Sequence, residues 1–311
     1  MYDKLIDIVK KYVDILGVEN FDVFQFSYNC SNVFLGERKF KVDSKKHRKY
    51  DLNKIDILVE DFLIALNPKY LDYYIVRKED GSFDFSYESG SGYSFLDDAG
   101  KRRILVGSTG TIKDAFIVVH ELFHDINMSE NIVDSEGRIF FTECLSILGE
   151  FLLSDYLENR KIYEHRCFMQ ETFYYLRGKA VEVNFNLELI KKYLENGFLN
   201  SSIIDSIIYS YPRDCRMDVI ETMLKMVESE WVTLEEEQSY VASGLVATYM
   251  YDRIKSNKKY LNELFDLNQV LDDYSLEQVL DYLDIDYGDS DIADKSYSML
   301  RDKYKKYIKR W

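Results

Sequence analysis

The chain has 311 residues, 46% hydrophobic and 31% charged, with a formal net charge of −15. That balance describes a soluble globular protein with enough chain for a large core, and the excess of acid argues against a nucleic-acid partner held by its phosphates. No stretch is long and apolar enough to cross a bilayer, and only two prolines, Pro68 and Pro212, with no Gly/Ser-rich linker, point to long helices.

Met1 to Tyr12 mixes acids and lysines along an amphipathic pattern, unlike a signal peptide, so a cytoplasmic location is expected. Cys30, Cys144, Cys167 and Cys215 show no C-x-x-C spacing and are expected to be reduced thiols. Residues 2–16 predict a helix, with Leu5, Ile8, Val9, Tyr12, Val13 and Leu16 at helical spacing and Gly17 as the stop. Val18 to Lys49 supports no single assignment, and its basic cluster, Lys45 to Lys49, reads as a solvated loop. A second helix begins at Asp51, carries Ile55, Leu58, Val59, Phe62, Leu63 and Leu66, and ends before Pro68.

From about Tyr73 to Val106 the period changes. Phe83, Phe85 and Tyr87 alternate with polar residues, Gly90, Gly92 and Gly100 punctuate the run, and Arg102 to Gly107 adds a strand-like stretch. The pattern predicts a small antiparallel sheet whose last strand leads through Ser108, Thr109, Gly110 and Thr111 into the next helix. As an edge beside that helix, Gly107, Ser108, Thr109 and Gly110 would bind an extended peptide by strand addition.

The next helix carries His120-Glu121-Leu122-Phe123-His124 within the apolar run that starts at Ala115. Positions i and i+4 share a helix face, so His120 and His124 can grip one Zn²⁺. Glu121 is turned aside by about 100°, where it can act as general base toward a metal-activated water. Ile117 to Val119 and Leu122 to Phe123 keep the histidines in apolar company, as zinc-protease motifs usually do, whereas Asp125 does not.

A catalytic zinc needs a third protein ligand. The helix expected from Arg138 to Leu157 gathers Thr142, Glu143, Ser146, Glu150 and Ser154 into a narrow polar stripe, with aromatic and aliphatic residues covering the rest. A carboxylate on a helix buried so far round needs a cation or donors. Glu143 is the preferred third ligand; the alternative is that Glu143 and Glu150 line a solvated strip. Asp134 and Glu136, in the connector, are expected to be solvated.

Further helices are expected near 160–177, 187–196, 200–209, 214–229, 233–255, 259–265, 275–283 and 291–309, without an internal repeat. The chain reads as a single mainly α domain over 1–311: a helical lead-in over 1–70, the sheet over 71–112, the metal helices over 113–160 and a helical half over 161–311.

Ile104 to Thr111, followed by His120-Glu121-Leu122-Phe123-His124 and by Glu143-Cys144-Leu145-Ser146 with Glu150, resembles the oligoendopeptidase F and thimet-type oligopeptidase family of zinc metallopeptidases. Ala65 to Tyr70, Gly92-Tyr93-Ser94, Ala242-Ser243-Gly244 and Tyr274 to Asp286 extend the resemblance patchily over residues 50–311. It implies a zincin-like helical catalytic domain of the gluzincin type, with a narrow channel and oligopeptide substrates. One Zn²⁺ per chain would be bound by His120, His124 and Glu143, with Glu121 as the catalytic base and Ser146 and Glu150 as supporting residues beside them. Three departures follow. Phe123 stands where the family has glycine, and family members are considerably longer, so an amino-terminal helical wall would be missing or reduced. The family also supplies a histidine and tyrosines from its carboxyl-terminal region to stabilise the oxyanion. This chain has no histidine after His165, and Glu237 and Ser239 fall at the tyrosine positions, with Tyr240 one place away. Tyr240 is then the candidate donor, with Tyr209 and Tyr211 as alternatives. Two readings result: an active zinc peptidase, or a degenerate zinc-binding relative that holds peptides or a protein partner. A helical interaction protein without metal is the third.

Overall fold

The computed structural model describes residues 1–18, 21–37, 48–85, 90–127, 136–232, 234–268, 274–286 and 290–308. Lys45 to His47, Tyr87 and Asp134 lie outside the described residues. The architecture is mainly α with one small sheet before the His120 helix, as the pattern predicts. Its elements are α1 (Tyr2–Leu16), α2 (Gln25–Asn32), α3 (Leu52–Leu66), α4 (Pro68–Glu79), β1 (Phe83–Asp84), β2 (Gly92–Leu96), β3 (Arg102–Val106), α5 (Lys113–Asn127), α6 (Glu136–Asn159), α7 (His165–Asn196), α8 (Ser201–Ser210), α9 (Arg216–Ser229), α10 (Glu235–Ser256), α11 (Tyr260–Asn268), α12 (Leu276–Tyr282) and α13 (Asp291–Ile308).

The domain expected over 1–311 is built as two compact units, each assembled from three separate stretches. The first comprises 1–41, 172–245 and 284–303. In it α1 buries Leu5, Ile8, Val9, Tyr12 and Val13 and lies against α8 and α9. Gly17, at φ 61°, closes α1 in the left-handed conformation that glycine adopts without strain. Arg177, almost fully buried, donates to the Glu37 carbonyl at 3.0 Å and to Asp218 at 3.2 Å. That pairing is what makes a guanidinium tolerable in the interior. The segments expected at 160–177 and 187–196 are one continuous helix, α7. Its central Asn184 is absorbed by Tyr211 at 2.6 Å and Ser31 at 3.2 Å.

The second unit comprises 42–171, 246–283 and 304–311. Asp51 caps α3 by accepting from the Lys54 amide at 2.9 Å, and Asn67 caps α4 with Pro68 in its first turn. The sheet region therefore opens with a helix, and strands begin only at Phe83. The strand order is β1-β3-β2: β1 runs parallel to β3 and β2 antiparallel to it. The sheet is thus mixed rather than wholly antiparallel, and its last strand is central. That corrects the expectation that the strand entering the His120 helix is an edge. The hairpin at Asp97 to Lys101 puts β2 on one side of β3, and on the other β1 pairs with Ile104 and Leu105. α5 lies against both β2 and β3, and α6 lies against α5.

Candidate metal centre

The start of α5 is fastened by one buried carboxylate. Asp114 accepts from the Thr109 amide at 2.7 Å, the Gly110 amide at 2.9 Å, the Ser108 hydroxyl at 2.7 Å and the Thr109 hydroxyl at 2.5 Å. These bonds satisfy donors around the helix start, where the helix dipole also favours a negative charge. The Gly107 amide bonds Ser91 at 2.8 Å and its carbonyl accepts from Gly90 at 2.8 Å. Gly107, Ser108, Thr109 and Gly110, predicted to bind substrate, thus form a loop whose amide donors at 107, 109 and 110 are already engaged. A hydrophilic residue opening an apolar helix after Ser-Thr-Gly-Thr was the available sign of this cap.

Along α5, Ala115, Phe116, Val118, Val119, Leu122 and Phe123 are fully buried. Phe123 fits because the facing residue on α6 is Gly149: a Cβ there would come within 3.1 Å of the Phe123 ring and of Val119. Phe123 also packs edge-on to Phe265 at 5.6 Å and against Tyr70 at 6.1 Å. Asp125, the charge that breaks the apolar pattern, is fully buried but neutralised, accepting from Arg77 at 2.8 Å and Tyr73 at 2.6 Å.

Close packing of α5 on α6 brings His120, His124 and Glu143 together, with one ligand atom from each lying within 4.8 Å of the others. The two Nε2 atoms are 3.1 Å apart; Glu143 Oε2 is 3.0 Å from His124 and Oε1 is 3.6 Å from His120. Ligand bonds of about 2.0–2.1 Å in a tetrahedral arrangement set neighbouring donor atoms about 3.3 Å apart, so this triangle suits one zinc ion. Glu143 Oε1 is buried without a hydrogen-bond partner among the described residues, an orphaned acceptor of the kind a cation satisfies. Glu150 sits behind the cluster, its Oε1 2.8 Å from His120 Nδ1. A proton on Nδ1 shared with Glu150 leaves Nε2 as a lone pair directed into the cluster, the usual carboxylate–histidine–metal arrangement. Ser146, one turn from both glutamates, is fully buried.

Charges within the cluster favour a cation. Burial by itself would lower the His120 pKa, but Glu143, Glu150 and Glu121 outweigh it and lift it to about 10. Burial would raise Glu143, yet His120 and His124 hold its carboxyl below the ordinary value. Glu121 is 7% exposed and its pKa is raised, chiefly by burial.

Gly92, at the start of β2, explains how a strand approaches this centre. A Cβ on Gly92 would meet Glu121 Cγ at 2.6 Å, Ile117 Cγ2 at 2.6 Å and Glu121 Oε1 at 2.7 Å. Only a glycine lets the strand backbone lie against Glu121. Gly92 punctuates the alternating run, and a glycine inside a strand is also the mark of close backbone approach. Tyr240 lies on α10 in the first unit, edge-on to Tyr175 at 5.5 Å, whereas His120, His124 and Glu143 belong to the second. The side chains of Glu237 and Ser239 are outside the described residues. Tyr209 is 68% exposed, and Tyr211 is buried with its hydroxyl on Asn184.

No protein-family model matches the sequence, and no curated protein matches it. Comparison with solved structures does find relatives in fold. A candidate peptidase from Chlamydophila abortus matches with a TM-score of 0.68 and 17% identity over 98% of this chain and 55% of that one. A candidate oligoendopeptidase F from Bacillus anthracis matches with a TM-score of 0.58 and 12% identity over 98% and 56%. PZ peptidase A, solved with an inhibitor, matches with a TM-score of 0.58 and 12% identity over 97% and 58%. The chain therefore shares its fold with these structures and spans little more than half their length.

Proposed function

We propose that the protein is a zinc metallopeptidase that hydrolyses peptide bonds in short oligopeptides. The observation that carries this reading is the convergence of His120, His124 and Glu143 on one point, with Glu121 beside it and Glu150 behind His120. The likeness in fold to proteins described as peptidases agrees with it.

In this reading His120, His124 and Glu143 hold the metal, and Glu150 keeps the His120 ring in the tautomer that ligates. Bound zinc would polarise the scissile carbonyl and increase the acidity of water. Glu121 takes a proton from the attacking water and returns it to the departing amine; a carboxylate whose pKa burial has raised suits both duties. The substrate backbone would add to the sheet at β2 rather than at residues 107–110. In the antiparallel pair, Tyr93 and Phe95 turn their amide and carbonyl groups to β3, while those of Gly92 and Ser94 turn to the opposite side. Among the described residues no strand pairs with that side of β2. An extended peptide there would run past Glu121 at Gly92. A cytoplasmic location remains part of the proposal. Among the described residues no helix is long and apolar enough to span a membrane.

The second reading, a degenerate relative that binds zinc and peptides without turnover, is favoured by Glu237 and Ser239 at positions where tyrosines are expected. Incubating zinc-loaded protein and its Glu121→Gln variant with a mixed oligopeptide library separates the two. Cleavage by the wild type alone supports the peptidase. Zinc and peptide binding without cleavage supports the degenerate relative, and cleavage unaffected by Glu121→Gln removes the proposed base.

A further inference from the structure

We infer that Tyr93 and Phe95 determine specificity, selecting extended peptides that carry aromatic or apolar side chains at two alternate positions on one side of the reacting bond. This rests on the proposal that peptides pair with β2. Along β2, Gly92, Ser94 and Leu96 are partly covered, whereas Tyr93 and Phe95 stand on the other face, 53% and 40% exposed. A peptide strand laid along the outer side of β2 alternates in the same way, so its residues opposite Tyr93 and Phe95 project onto the face that carries the two rings. Such cross-strand neighbours come close enough for aromatic side chains to pack. An α-helix cannot take this position, because its own amides and carbonyls are bonded internally and cannot satisfy those of Gly92 and Ser94.

The chemistry of the face selects apolar residues over acids. Leu105 lies across from Tyr93 and Arg103 across from Phe95. Arg103 is engaged, at 3.1 Å from Asp97 and 3.1 Å from the Gly81 carbonyl, so its charge is already answered. The direction of reading follows from the ends of β2. Gly92 lies against Glu121, and the strand then runs away from the base to Leu96, where the Asp97–Lys101 turn ends it, with Asp97 donating to Lys101 at 2.9 Å. Selection by the two rings therefore falls on one flank of the reacting bond.

The test uses zinc-loaded Glu121→Gln protein, so that peptides bind without being consumed. Two labelled peptides of identical composition are compared by fluorescence anisotropy, one with two phenylalanines at alternate positions and one with them adjacent. Two favourable cross-strand pairs predict that the alternating peptide binds about 2- to 30-fold more tightly. The added double substitution Tyr93→Ser, Phe95→Ser is expected to abolish that difference, and N-methylation of the alternating peptide's backbone to weaken it. Equal affinities, no measurable binding of either peptide, or a preference that survives the double substitution would each overturn the inference. Turnover by the wild type is scored separately. Cleavage without preference defeats the specificity assignment alone, and preference in binding without cleavage defeats the peptidase reading alone.

Discussion

Substituting Gly92→Ala places a methyl group where the structure has no room for one. The new Cβ would lie 2.6 Å from Glu121 Cγ and 2.6 Å from Ile117 Cγ2, whereas carbon atoms pack at about 3.5–4.0 Å. Either β2 or the Glu121 side chain has to move by about 0.9 Å or more to restore ordinary contact. Both movements separate the proposed base from the edge on which the substrate would lie. A misplacement of about 1 Å costs on the order of 100-fold in rate, and overpacking costs about 1–3 kcal/mol in stability. The proposed metal ligands sit on α5 and α6, so zinc content should remain at the wild-type level. The assay is steady-state hydrolysis of a quenched fluorescent peptide by zinc-loaded protein, with metal content measured on the same sample. A kcat/KM within about threefold of the wild type would refute the claim that β2 sets the position of the base.

Replacing Glu150 by glutamine should leave His120 in place but remove the carboxylate that orients it, weakening zinc binding about 10- to 100-fold in a competitive chelator titration. Zinc affinity should rise with pH: His120, whose pKa the neighbouring glutamates lift to about 10, must lose a proton before its nitrogen can ligate, so affinity gains about tenfold per pH unit below that value for each proton displaced. Calorimetry in two buffers of different ionisation heat should find that proton released. Phe123→Ala should cost about 3–5 kcal/mol in chemical denaturation, because Gly149 leaves nothing to fill the space; a loss well below 1 kcal/mol would contradict the packing described.

Some of this was legible in the residues themselves and some was not, for a physical reason. His120 and His124 declare themselves because helical spacing puts i and i+4 on one face, and Glu143 because a carboxylate on an otherwise apolar helix needs a partner. α1 and α3 follow from local periodicity, with Gly17 and Asp51 as their punctuation. Strand order does not: whether β3 is central or at an edge depends on what pairs with it from elsewhere, and nothing in Arg102 to Val106 records that β1 lies on its far side. α4 overlaps the stretch from Tyr73 whose period points to strand, although Asn67-Pro68 is a helix start. The polar Asn184 within α7 finds its partners, Tyr211 and Ser31, only at positions distant in sequence. Asp125 looked like a flaw in the motif because Arg77 and Tyr73 reach it only through the fold. The division into two units, each gathered from three stretches, has no local signal at all.

The most direct measurement is the zinc stoichiometry and affinity of the purified chain by calorimetric titration, set beside the Glu143→Ala variant. One zinc ion per wild-type chain, with affinity lost or greatly reduced in the variant, is the expected outcome. A wild-type chain that takes up no zinc, or a Glu143→Ala variant that binds it as tightly, would contradict the assignment of His120, His124 and Glu143 as one metal centre.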